Sequence, residues 1–232
     1  MSKNTEVDAG VNALFNAGAH YGYSKTRRHT SVASYIFGTK NKTDLINLEK
    51  TQVLLEQAKA FVAELGRTGK TVLFVGAKAE AKSIIQNKGA ELDMPWVTER
   101  WIGGALTNFS EIKKRVARLE DLKDKREKGE LDMYTKKERL LLDQEIAKLQ
   151  RNFGGLVNLK KLPDAMIVID SKREHIAVTE AQKMGVPVIA LANTDTNIST
   201  IEYPVVANDG SISSISYFIN ELVSAYKGAR AN

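Results

Sequence analysis

The stretch AMIVID, residues 165–170, entered through Leu162-Pro163-Asp164, decides how this chain folds. It is a short apolar run bounded by turn residues on one side and an acid on the other, the pattern of a strand covered on both faces. Two further runs have the same character, KTVLFVG at 70–76 and VPVIALA at 186–192. Between and around them the period changes to helical. Ala79–Asn87 reads as a helix closed by Gly89, and His175–Lys183 as a helix ended by Gly185. Leu48–Leu65 carries Val53, Leu54, Ala58, Phe61, Val62 and Leu65 on one face, with Gly66 as its stop. Trp96–Val97 and Pro204–Ala207 read as short strands, and Ser211–Tyr226 as a closing helix with Ile212, Ile215, Phe218, Ile219 and Leu222 on one side. Strands alternating with helices predict parallel strands, right-handed crossovers and helices on both sheet faces: a doubly wound α/β sandwich.

Two segments stand outside that alternation. At the N-terminus, Val11–Ala17 has a short helical pattern, and SYIFG (34–38) and DLINL (44–48) predict a small hairpin joined by Thr39–Thr43. In the middle, Ile112, Val116 and Leu119 step by four and three, as do Leu142, Ile146, Leu149 and Phe153, on otherwise charged helices turned at Lys128-Gly129-Glu130. So narrow a seam buries itself against one partner helix rather than a sheet. The spacing predicts an antiparallel helical hairpin inserted over about 106–153, with arms of about 18 residues reaching roughly 27 Å. The whole chain, 1–232, then reads as a single α/β domain.

Composition is that of a globular chain, 43% hydrophobic and 27% charged. The longest apolar stretch, Val186–Ala192, falls far short of the roughly 20 residues of a membrane span. MSKNTEVDAG at the start lacks the apolar region of a secretory signal, and a reducing cytoplasmic location fits a chain without cysteine. There is no cysteine, which excludes disulfides, thiolate metal sites and cysteine nucleophiles. The net charge of +6 is unevenly spread. Residues 9–43 hold no acid and five bases, Lys25, Arg27, Arg28, Lys40 and Lys42; residues 100–151 carry +4, and the remainder carries −3. Positive charge concentrated on two appendages of a mildly acidic body points to a polyanionic partner, nucleic acid above all.

Catalytic patterns are largely missing. Gly69-Lys70-Thr71 resembles the tail of a phosphate loop, but Glu64 stands where its first glycine belongs and it precedes its strand instead of following it. Gly76 follows a strand without the dinucleotide glycine pattern. No nucleophile elbow or zinc helix occurs. His20 and His29 lack a neighbouring carboxylate to orient them, and an Asp170–His175 pair reads more simply as a helix start. A nucleotide-binding α/β enzyme is the competing reading, on fold analogy alone. No catalytic residue, metal, cofactor, small-molecule substrate or membrane partner is expected. The segment GAHYGYSKTRRHT at 18–30 mixes bases, rings and glycines with few aliphatics, suited to phosphates and unpaired bases.

The order of motifs is more specific than any one of them. GAHYG (18–22), YIFG (35–38), INLEKT (46–51), LFVGAK (73–78) and RWIGGALTNF (100–109) are followed by KKE (136–138), GGL (154–156), LPDAMIVID (162–170), EHIA (174–177), EA (180–181), GVPV (185–188) and AND (207–209). In that order they resemble the bacterial small-subunit ribosomal protein S-two family, over nearly the whole chain. The resemblance implies a flavodoxin-like parallel sheet with a protruding coiled-coil hairpin. It also implies a structural, non-enzymatic ribosome component that binds small-subunit ribosomal RNA, lies between head and body among neighbouring ribosomal proteins, and helps recruit the messenger-binding protein S-one.

Two stretches depart from the family pattern. Tyr23 replaces a second histidine and Arg27–Val32 replaces an R-x-W-N-P-K-M run; later, Ala192–Ile198 replaces V-D-T-N-x-D-P. They suggest a divergent bacterial lineage rather than another function. The RNA-contact candidates are Lys25, Arg27, Arg28, Lys40 and Lys42, with Arg100, Asn108, Lys113, Lys114 and Arg115 at the entrance to the hairpin. Trp101, Gly103, Gly104 and Thr107 belong to the same motif; Trp101 reads first as core, and the glycine pair reads equally as a tight bend or as a place of direct RNA approach.

Overall fold

A computed structural model describes residues 2–230; Met1, Ala231 and Asn232, included in the 1–232 span read from the sequence, lie outside the described residues. Helix α1 (Ser2–Asn16) leads into strands β1 (Tyr21–Ser24), β2 (Ile36–Lys40) and β3 (Thr43–Ile46). These three form a small antiparallel sheet in the order β1-β3-β2, so the expected hairpin gains a third strand that the sequence reading missed. Tyr21–Ser24 is short, and its burial shows no alternation from which a strand could be read. α1 begins well before Val11, the start that its apolar spacing implied.

Next come α2 (Leu48–Arg67), β4 (Val72–Val75), α3 (Ala79–Leu92), β5 (Trp96–Val97), α4 (Phe109–Glu127) and α5 (Lys136–Phe153). The chain closes with β6 (Ala165–Ile169), α6 (His175–Met184), β7 (Val188–Ala192), β8 (Tyr203–Val206) and α7 (Ile212–Arg230). The second sheet has five parallel strands in the order β5-β4-β6-β7-β8. Counted along its own five strands this is 2-1-3-4-5, the order of flavodoxin-like sheets.

Both faces are covered, which is why the strands are apolar throughout. Phe74, Ile167, Ile169, Ile189 and Leu191 point into a core shared with α2, α3 and α7. Leu73, Val75, Met166, Val168 and Ala190 point into another, shared with α6 and with the seam between α4 and α5. Ile112, Leu119, Leu122, Ile146, Leu149 and Phe153 are buried in that same cluster. The seam is therefore continuous with the sheet's second core, where the sequence placed it apart. The pair α4 and α5 is joined through Gly129, at φ +74°, and a 3-10 turn at Glu130–Met133. Thr135 starts α5 with a reciprocal cap, its side chain accepting from Glu138 N–H while Glu138 accepts from Thr135 N–H.

Two glycines read as helix stops turn out to lie inside helices. A Cβ on Gly66 would collide with the Tyr226 carbonyl oxygen, so Gly66 is where α2 and α7 touch backbone to backbone. A Cβ on Gly89 would lie 2.8 Å from the Trp96 ring, and α3 ends instead at Asp93, with φ +56°. Gly185, at φ +67°, does terminate α6.

Candidate nucleic-acid interface

The small sheet gathers part of the acid-free segment's charge at one end. Asn41 and Lys42, at φ +51° and +65°, form the two-residue left-handed turn that a tight hairpin needs. Lys40 pairs with Thr43 across that turn, and Lys25 N–H donates to the Lys42 carbonyl at 2.9 Å. Lys25, Lys40 and Lys42 thereby meet, with Arg27 two residues further on; all four side chains are exposed and, among the described residues, unpaired.

Arg28 is different. Its Nε and Nη2 donate to the two oxygens of Asp44 at 2.7 and 2.5 Å, and Thr39 Oγ1 donates to the same carboxylate at 2.8 Å. Asp44 is fully buried. The Arg28 hydrogen bond, aided by Thr39, outweighs burial and holds the Asp44 carboxyl below its usual range. Arg28's charge is spent inside the sheet, on an acid one residue past the acid-free stretch.

The sheet is seated on the α/β body through the two stretches that depart from the family pattern. Tyr23 N–H donates to Thr194 Oγ1 at 2.9 Å, His29 N–H to the Thr194 carbonyl at 2.8 Å, and Ile198 N–H to Ser31 Oγ at 3.1 Å. The departures at 23–32 and 192–198 are thus two sides of one contact. Beneath it lies the point where strand order reverses, at the carboxyl ends of β4 and β6, the usual ligand crevice of an open α/β sheet. Here Lys78 Nζ lies 2.9 Å from Asp170 and 2.8 Å from Asp209, with Tyr23 Oη 3.4 Å away. Burial alone would lower the Lys78 ammonium, but Asp209 and Asp170 outweigh it and raise its pKa. Burial pushes the Asp209 carboxyl up despite Lys78. The Ala77 amide, placed to meet an anion, donates instead to Glu174 at 3.1 Å. Lys78, Asp170, Asp209 and Glu174 occupy part of this crevice, and beside them Ala77 and Glu174 line an open cavity. Asp170 accepts from the Arg173 amide at 3.0 Å and makes no pair with His175, whose Nδ1 faces the Lys172 carbonyl.

The second basic group lies on the loop from β5 into α4. Arg100 is exposed and lines a cavity of about 380 Å³ with Lys82, Glu99, Arg173 and Glu174. Lys82 pairs with Glu99 at 2.7 Å, leaving Arg100 and Arg173 as its free cations among the described residues. Arg173 was missed because SKREH reads as an ordinary strand-to-helix connection. Trp101 is buried, as the core reading expects, and Gly104, at φ +89°, makes the bend. Asn108 is exposed before the first turn of α4 and caps nothing with its side chain. Lys113 lies 5.1 Å over the Phe109 ring, Lys114 pairs with Glu111 at 2.6 Å, and Arg115 is exposed. No ion pair or hydrogen bond among the described residues joins this group to the tip of the small sheet.

Comparison with known proteins decides the family. The model of ribosomal protein S2 matches residues 14–229. The chain belongs to the ribosomal protein S2 family. The small ribosomal subunit protein uS2 of Sulfurimonas denitrificans is 38% identical over 218 residues, covering 94% of this chain and 84% of the relative. That of Francisella tularensis subsp. novicida is 39% identical over 212 residues, covering 91% and 89%. That of Picosynechococcus is 38% identical over 217 residues, covering 94% and 85%. A member of the S2 family is a structural ribosomal protein and not an enzyme. Among the described residues no helix is long and apolar enough to cross a membrane.

Proposed function

We propose that this S2-family protein is a structural constituent of the small ribosomal subunit that holds ribosomal RNA by its backbone through two basic surfaces. The first is the tip formed by Lys25, Arg27, Lys40 and Lys42; the second is Arg100, Asn108, Lys113, Lys114 and Arg115, with Arg173 added. The observation that carries the reading is the contrast within the N-terminal sheet. Register brings three lysines to one end of the sheet, none of them in an ion pair among the described residues, while the nearby acid, Asp44, is buried and held by Arg28. Cations left unpaired at a rigid tip are suited to phosphates, which fix position without reading sequence. Arg28 braces that tip from behind.

In this reading the chain works as one α/β domain, with residues 9–43 as its basic segment and α4 and α5, over about 106–153, as a coiled-coil arm. Its partners are ribosomal RNA, neighbouring ribosomal proteins and the messenger-binding protein S-one, and its place is the cytoplasmic ribosome. The test is filter binding to small-subunit ribosomal RNA at several salt concentrations. Replacing Lys25, Arg27, Lys40 and Lys42 together by alanine is expected to flatten the slope of log affinity against log salt by about 3 units. An unchanged slope would remove the tip from the interface.

A further inference from the structure

We infer that Glu180 is a positioning residue for RNA binding: from α6 it fixes the loop that presents Arg100 and Asn108 and launches the basic first turns of α4. The inference rests on the RNA-binding reading above. Glu180 is only 7% exposed, and five donors from one stretch of loop converge on its carboxylate. Oε1 accepts from Trp101 Nε1 at 3.2 Å and from Gly104 N–H at 2.7 Å. Oε2 accepts from Leu106 N–H at 3.0 Å, and from Thr107 N–H and Thr107 Oγ1, both at 3.2 Å. A buried carboxylate is costly unless its oxygens are hydrogen-bonded, and bonds to an ionised acceptor are about twice as strong as neutral ones. Burial raises the Glu180 pKa, but the Leu106, Gly104 and Thr107 amides outweigh it and keep the carboxyl below its usual range. It is therefore ionised at neutral pH, beneath amides that lie just ahead of the α4 N-terminus.

The position of the loop makes the clamp consequential. β5 has two residues and stands at the sheet edge, so sheet pairing ends at Val97 and does not orient the loop beyond it. Arg100 immediately precedes the first clamped residue and Asn108 immediately follows the last. A shift of the loop thus displaces both, together with Lys113 and Arg115 one to two turns along the helix. The motif RWIGGALTN is explained in these terms: the Trp101 ring nitrogen, the Gly104 and Leu106 amides and the Thr107 amide and hydroxyl are the groups that Glu180 holds, and Arg100 and Asn108 flank them as exposed side chains.

A double-mutant cycle tests the inference. Glu180→Gln keeps the shape but turns an amide NH2 toward groups that are all donors. Amide hydrogen exchange at Gly104, Leu106 and Thr107 should then rise at least about tenfold, and affinity for a small-subunit ribosomal RNA fragment should fall about 5–10-fold. The combined change Arg100→Ala and Arg115→Ala should weaken binding in the native background but change it less than about twofold beside Glu180→Gln. Lys25→Ala with Lys42→Ala should cost the same in both backgrounds. If Glu180→Gln does not fold, Trp101→Phe and Thr107→Val, each deleting one donor, carry the same cycle. Faster exchange with unchanged affinity and an undiminished Arg100/Arg115 effect would overturn the inference, leaving Glu180 a brace of the fold. A silent Arg100/Arg115 change in the native background would instead refute the RNA-binding reading of this loop, and the inference with it, whatever the exchange shows.

Discussion

Replacing Arg28 by alanine separates the two roles that basic residues of the N-terminal segment can have. The substitution leaves Asp44, whose side chain is 0% exposed, ionised and without its cation, with only the Thr39 hydroxyl as a side-chain donor. Removing one partner of a buried pair costs about 3–5 kcal/mol. Arg28 itself is 23% exposed, so water can reach part of the vacated space and the lower end, about 3 kcal/mol, applies. For a chain of this length that lowers Tm by roughly 6–12 °C. The salt slope of RNA binding should not move, because no phosphate contact is lost. Replacing Lys25 or Arg27 should do the reverse: Tm stays put, surface changes costing within about 0.5 kcal/mol, and the slope falls by about 0.7–0.9 per residue. Removing Asp44 together with Arg28 should recover much of the stability, since no charge is then stranded. The Asp44 pKa is depressed in the folded state, so its stabilisation is present above the unfolded carboxylate range and is lost as pH falls through the folded value. Arg28→Ala should accordingly differ least from the native protein in acid. Thermal melts at several pH values with parallel filter binding make the measurement. An Arg28→Ala protein that melts with the native one and loses salt slope as Lys25→Ala does would refute this division of roles.

Lys78→Met strands Asp209 and Asp170 together in the crevice and should cost about 3–5 kcal/mol near neutral pH. With the Asp209 pKa raised further above its unfolded value, that deficit should shrink on acidification, and a melt deficit independent of pH would contradict it. Gly66→Ala gains about 1 kcal/mol of helix propensity but drives a methyl into the Tyr226 backbone, an overpacking cost of about 1–3 kcal/mol. Net destabilisation is expected on a denaturant curve, whereas a higher midpoint would mean that α2 and α7 separate freely. Leu122→Asp puts a charge into the α4–α5 seam and should expose residues 119–142 to limited proteolysis while sparing the sheet. Because the seam runs on into the sheet's second core, Ile112→Asp should instead lower the melting of the whole chain, and equal local cutting in both variants would show otherwise.

Whatever depends on near neighbours in the chain is legible in the sequence. AMIVID and VPVIALA are strands because each packs apolar side chains toward both faces of the sheet, and a run of such residues shows this without reference to any partner. The four-and-three stepping of Ile146, Leu149 and Phe153 marks a helix with a narrow buried stripe for the same reason. The absence of acids from 9–43 marked out the segment that carries the exposed tip, and ordered motifs over the chain were enough to place it in its family. Which of those bases are free depends on the folded arrangement. Arg28 and Lys25 look alike in sequence, and a carboxylate 16 positions from Arg28 separates them. Glu180 is an ordinary helix residue until loop donors 73–79 positions away close on it. Gly66 resembles a stop until α7 arrives against it. The two departures from the family pattern become one contact only when Tyr23 meets Thr194 across 171 residues. Periodicity and composition follow from interactions summed along the chain. Charge pairing and backbone contact depend on distances in space, which one sequence does not contain.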